Sequence, residues 1–139
     1  MKDTRQLDTS IFKSKREEGL FDLARQIAEL STSRFRVGAV IARRSHPLSL
    51  GVNDMLKTHP KRKPRYGCAE FYAIKRARTS VEGADIYVVR IRRNGSLGLA
   101  RPCIMCALDL QEVGITRVFY STEYGIQRIA VDNLLKEED

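Results

Sequence analysis

Cysteine is scarce in this chain: three in 139 residues, at positions 68, 103 and 106. An odd count with no secretion signal argues for free thiols rather than a disulfide scaffold. Also missing is any stretch near the roughly 20 apolar residues that a membrane helix needs. The opening Met1-Lys2-Asp3-Thr4-Arg5-Gln6 has no apolar region behind it, so no signal peptide is expected. These absences predict a cytoplasmic protein without a membrane partner. Histidine is nearly as rare, with only His46 and His59, and each is read as a surface or hydrogen-bonding residue. Acidic residues are outnumbered, 17 against 25 Lys and Arg, which leaves a net charge of +8. That balance suits an anionic partner such as a nucleotide or nucleic acid, or simply a self-repelling soluble surface.

What is present is enough for one core. The length matches a single domain, and 42% hydrophobic residues place the chain among globular proteins. Residues 1–139 are therefore read as one domain, with a loose arm over 1–15 and an acidic tail over 132–139. Apolar residues recur at helical spacing over 15–30. Strands are predicted over 35–42, with Phe35, Val37, Ala39 and Ile41 on one side, and over 48–53, joined by a polar turn at 43–47. A basic loop fills 54–67 and carries Lys57, Lys61, Arg62, Lys63 and Arg65; loops this long are usually functional. A helix over 68–79, a strand over 84–91, a helix over 102–113 and a strand over 116–121 follow. A last antiparallel strand over 126–131 closes the chain. Strands joined through helices pack side by side in parallel with right-handed crossovers. The expected architecture is three-layer α/β/α around a mixed five-stranded sheet.

All three cysteines fall in two short motifs, Cys68-Ala69-Glu70 and Pro102-Cys103-Ile104-Met105-Cys106, 34 residues apart. Each sits at a predicted helix N-terminus, where peptide dipoles stabilise thiolates. If the two helices follow strands of one sheet, Cys68, Cys103 and Cys106 converge on one Zn²⁺. Three protein ligands leave a fourth position for water, as a catalytic zinc needs. Glu70 is then placed to move that water's protons. A purely structural zinc would instead need a fourth protein ligand, which His46 or His59 could supply. Three thiolates on Zn²⁺ leave a net charge of −1, so compensating donors to sulfur are expected, either backbone N–H groups or the guanidinium of Arg65 or Arg101.

From Phe35 to Leu135 the chain resembles the cytidine deaminase superfamily. Phe35-Arg36-Val37-Gly38-Ala39 is similar to that family's first strand, and Cys68-Ala69-Glu70 with Pro102-Cys103-x-x-Cys106 is similar to its zinc motifs. The cysteine-first version, the closing hairpin and Val131-Asp132-Asn133-Leu134-Leu135 resemble the free cytidine deaminase branch. The resemblance implies the α/β/α fold and zinc-dependent conversion of cytosine to uracil, with Glu70 as the catalytic proton carrier. It further implies that Asn53 contacts the sugar, that the backbone of Ala69 and Arg101 reads the base, and that the chain forms a dimer or tetramer; Phe35 is a candidate to stack on the base, with core packing the commoner use of a strand phenylalanine. Two departures stand out. Ile104 replaces the family's Gly, and Met55 occupies the position of a ribose-binding Glu. The expected substrate is a cytosine-containing nucleoside or nucleotide, or a cytosine in single-stranded DNA or RNA. For a strand, the 54–67 cations would track phosphates, with Tyr66, Phe71 and Tyr72 available for stacking. An adenine-type deaminase and a non-catalytic zinc-stabilised nucleic-acid-binding module are the alternatives.

Overall fold

The computed structural model describes residues 12–53 and 68–136. Helix α1 spans Lys15–Ala28, and the Ser14 hydroxyl accepts the Glu17 N–H at 3.3 Å as its N-cap. Glu17 and Glu18 in the first turn and Arg25 in the last complement the helix dipole. The helix stops two residues before the expected end. The N–H of Glu29 turns back onto the last carbonyls, and Leu30 points outward, 68% exposed. The described end of the expected loose arm is docked: Phe12 packs on Phe21 and Phe119, with ring centroids 5.6 and 6.0 Å apart.

Strands β1, Arg36–Arg43, and β2, His46–Val52, form an antiparallel hairpin around a two-residue turn in which Arg44 takes φ 57°. β2 begins earlier than expected because a bulge at Ile41/Ala42 brings Pro47 opposite Ala42. Helix α2 spans Ala69–Arg76, β3 Asp85–Ile91, β4 Leu97–Gly98, α3 Ile104–Glu112, β5 Arg117–Thr122, β6 Gly125–Ala130 and α4 Val131–Lys136. The five long strands are ordered β2-β1-β3-β5-β6. The two-residue β4 is a sixth, beyond the expected five; it pairs with Arg90 and Ile91, past the point where the β3–β5 pairing ends at Val88. β3 and β5 are parallel neighbours, as their helical crossover requires, but β1 lies between β2 and β3 and is antiparallel to both.

Three layers result. Val40 and Ala42 of β1 share a core with Leu20, Phe21, Ala24 and Ala28 of α1. Ala39 and Ile41 face the other way, into a core with Ala69 and Ala73 of α2, Ala107 and Leu110 of α3, and Val131 and Leu134 of α4. Phe35 does not join that row; it precedes β1 and is 49% exposed. Two strand glycines set how close the helices come. A Cβ on Gly38 would meet the backbone of Ala24 and Ala28 in α1, and one on Gly51 would meet that of Ala69 and Ala73 in α2. The expected acidic tail is a correction: 131–136 form α4, since Val131 and Leu134 bury themselves under the sheet. Among the described residues, no helix is long and apolar enough to cross a membrane.

Candidate metal centre

The carboxyl end of β2 leads toward α2, and the carboxyl end of β3 leads through β4 to α3. Both helices lie on the same sheet face, so their N-termini meet at one end of the sheet. Cys68 is the N-cap of α2 and Cys103 that of α3; their carbonyls accept the Tyr72 and Ala107 N–H groups at 3.2 and 2.8 Å. Pro102 thus precedes the cap of α3 and is fully buried. Cys106 lies in the first turn of α3, buried, and Glu70 in the first turn of α2, 7% exposed.

The sulfurs of Cys68 and Cys106 and a carboxylate oxygen of Glu70 all lie within 4.8 Å of one another. Cys103, expected as the third ligand, is exposed and stands outside that group, joined to Cys106 by a thiol hydrogen bond. Contacts of the Cys106 thiol with the Cys103 and Cys68 sulfurs, with burial, push its pKa up. Cys103 is the complement. The Cys106 thiol and the N–H groups of Met105 and Cys106 hold it down at about 5, against the cost of burial. Glu70 is pushed up to about 7, mainly by burial and further by the charge of Cys103, while its own backbone N–H pulls the other way. The donor set is soft, concentrated and half sheltered, and no disulfide consumes it. It fits a thiolate-bound zinc.

His46 does not close this site as a fourth ligand. His46 opens β2, opposite Arg43, a full strand of roughly 20 Å from the end that leads to α2. His59 lies outside the described residues, as do Met55, Arg65, Tyr66 and the lysines of 54–67.

Asn53 is 7% exposed and committed to backbone. Its Oδ1 accepts the Val37 N–H at 2.8 Å, and its Nδ2 donates to the Phe35 carbonyl. Ala69 is fully buried against β2. The Arg101 guanidinium reaches the Tyr120 hydroxyl at 3.5 Å and the Leu134 carbonyl at 3.4 Å, linking the approach to α3 with α4. Sequence reasoning passed over Arg90, which lies over the Phe35 ring. An arginine inside a β-branched strand carries no local signal that it borders a site.

A sequence model of the family described as the cytidine and deoxycytidylate deaminase zinc-binding region matches residues 14–122. No curated protein sequence matches the chain. Among solved structures, the fold is similar to the dCMP deaminase of cyanophage S-TIM5 in apo form, with 19% identity, 91% of this chain and 94% of that chain covered, and a TM-score of 0.62. It is also similar to the cytidine deaminase of Burkholderia pseudomallei, with 21% identity, coverage of 84% and 94%, and a TM-score of 0.59. Acinetobacter baumannii RibD matches with 20% identity over 89% of this chain and 33% of that one, with a TM-score of 0.58.

Proposed function

Because the chain belongs to the cytidine and deoxycytidylate deaminase zinc-binding family, we propose that it is a single-domain hydrolytic deaminase converting a cytosine ring to uracil. Cys68, Cys103 and Cys106 hold the zinc, and Glu70 is the catalytic acid–base. The observation that carries this reading is the buried Glu70 carboxyl beside the Cys68 and Cys106 sulfurs. Zinc, when bound, supplies an activated water at neutral pH. Glu70 accepts a proton from that water, passes it to ring N3, and then serves the amine that leaves C4 as ammonia. Net, water is consumed, the C4–N bond breaks, and C4 becomes a carbonyl. A non-catalytic zinc module would have no use for a carboxyl buried at such cost.

The substrate is a cytosine nucleoside or nucleotide, or cytosine in a single strand. Asn53 keeps one amide hydrogen and one lone pair of Oδ1 for a sugar. Phe35 keeps an exposed ring, and the backbone at Ala69 and Arg101 flanks the two metal motifs. The protein acts in the cytoplasm, as a homo-oligomer. Supporting the oligomer, Leu99, Ile104 and Leu108 leave apolar side chains exposed along the approach to α3 and its outer face. The test is zinc-loaded wild type and Glu70→Gln protein incubated with deoxycytidine, dCMP and a cytosine-containing single-stranded oligonucleotide. Uracil should form with wild type and not with the variant. Absence of uracil from all three substrates would overturn the proposal.

A further inference from the structure

Four arginines and one exposed aromatic ring line a cleft at the end of the sheet that carries the sulfur cluster. Phe35 leads into β1, and Arg90 lies over its ring with the guanidinium carbon 4.8 Å from the centroid. Arg34 approaches the same ring at 5.9 Å. With Ile91, Arg92 and Arg93 they line a cleft of about 250 Å³. Among the described residues no acidic one lines it, although Arg92 is held from outside by Glu123 at 3.2 Å. Among the described residues the buried Nε of Arg90 has no hydrogen-bond partner. A phosphate oxygen is a strong acceptor for a guanidinium, whose outer N–H groups can face a ligand while the Nε stays covered.

The cleft's position ties it to the chemistry. β1 starts and β3 ends here, at the same end of the sheet as the N-termini of α2 and α3. Arg90 is paired with Val37, whose side chain packs against the core beneath those helices. Asn53, the residue after β2, is bonded to both Val37 and Phe35. Besides Arg92, which Glu123 holds, the guanidiniums of Arg34, Arg90 and Arg93 provide more charge than a single phosphate requires. The combination of cations that track a backbone and a ring on which a base stacks is the chemistry of single-strand recognition.

We propose that this cleft binds single-stranded nucleic acid, with phosphates on Arg34, Arg90 and Arg93 and one base against Phe35. The proposal rests on the deaminase reading only in taking that strand as the substrate; the binding itself does not depend on it. A free nucleotide offers the same phosphate, so the test separates the two. Binding of a short fluorescein-labelled single-stranded DNA is followed by anisotropy across a salt series. The double variant Arg34→Ala/Arg93→Ala should weaken binding at least tenfold. It should also flatten the slope of log affinity against log salt by about 1.4, at roughly 0.7 per lost contact. Both residues are exposed, so the fold is spared. Arg16→Ala/Arg44→Ala removes the same charge from exposed positions at the other end of β1 and should leave the slope unchanged. Salt-insensitive wild-type binding, an equal loss in the control, or full displacement by dCMP at matched phosphate concentration would overturn it. Uracil formation is read in the same samples. Arginine-dependent binding without uracil would defeat the deaminase reading and leave this site standing.

Discussion

Adding one methyl group at Gly51 tests whether helix packing sets the metal centre. A Cβ there would lie 2.5 Å from the Ala73 nitrogen and 3.0 Å from its Cα, with the Ala69 carbonyl oxygen closer still. These are backbone atoms and cannot rotate away. Restoring ordinary contact, which begins at 3.4 Å, requires α2 to lift by about 1 Å. Overpacking of this kind costs about 2 kcal/mol, or roughly 8 °C in melting temperature for a domain of this size. The same lift carries Cys68 and Glu70 away from Cys106, and a 1 Å misplacement costs about 100-fold in rate. Gly38→Ala is the matched control, because its Cβ would meet the backbone of Ala24 and Ala28 in α1 on the opposite sheet face. Both variants should lose similar stability in thermal unfolding, but only Gly51→Ala should lose zinc during dialysis and lose deaminase rate beyond its unfolded fraction. If Gly51→Ala keeps wild-type zinc and rate, or Gly38→Ala loses as much of either, packing does not set the site.

Three further outcomes are expected. Glu70→Gln should keep its zinc while kcat falls by about 10²- to 10⁴-fold. Without metal it should also be the more stable protein at pH 8. A carboxyl held at about 7 rather than 4.5 begins to penalise the fold as pH rises above 4.5, and the full cost of roughly 3 kcal/mol applies above 7. Urea unfolding should therefore separate the two proteins at pH 8 and not at pH 4. Zinc affinity, followed by competition with a chelating dye, should fall at least tenfold for each pH unit below 7, because Cys106 holds its proton tightly and must shed it to bind metal; a flat profile would show that Cys106 is not a ligand. Asn53→Ala should lose about 2 kcal/mol by stranding the Val37 N–H and the Phe35 carbonyl. An unchanged melting temperature would mean that these bonds carry no weight.

The hairpin, the crossover that makes β3 and β5 parallel neighbours and the layer order were legible because each follows from periodicity and connection length alone, whereas β1 inserts between β2 and β3, which that rule does not foresee. The sulfur–carboxylate site was equally legible, since its residues lie in two contiguous motifs at helix starts, and local sequence decides what a helix start presents. What escaped depends on tertiary contact. Helix α4 carries Asp132, Asn133 and Lys136 on its polar side and was read as tail; Val131 and Leu134 make it a helix only because the sheet offers them a core. β4 exists because β3 outruns its pairing with β5 and leaves an edge to fill. The backbone bonds that orient the Asn53 amide come from the neighbouring strand and from the residue before it, and are equally invisible in local sequence. The Arg90–Phe35 stack joins residues on adjacent strands, which no local pattern links.

X-ray absorption at the zinc edge of the metal-loaded protein tests the central claim most directly. One zinc per chain should show three sulfurs at about 2.3 Å and one oxygen from water at about 2.0 Å. A shell of two sulfurs with nitrogen ligands, or four protein ligands with no exchangeable oxygen, would contradict an open zinc site facing Glu70.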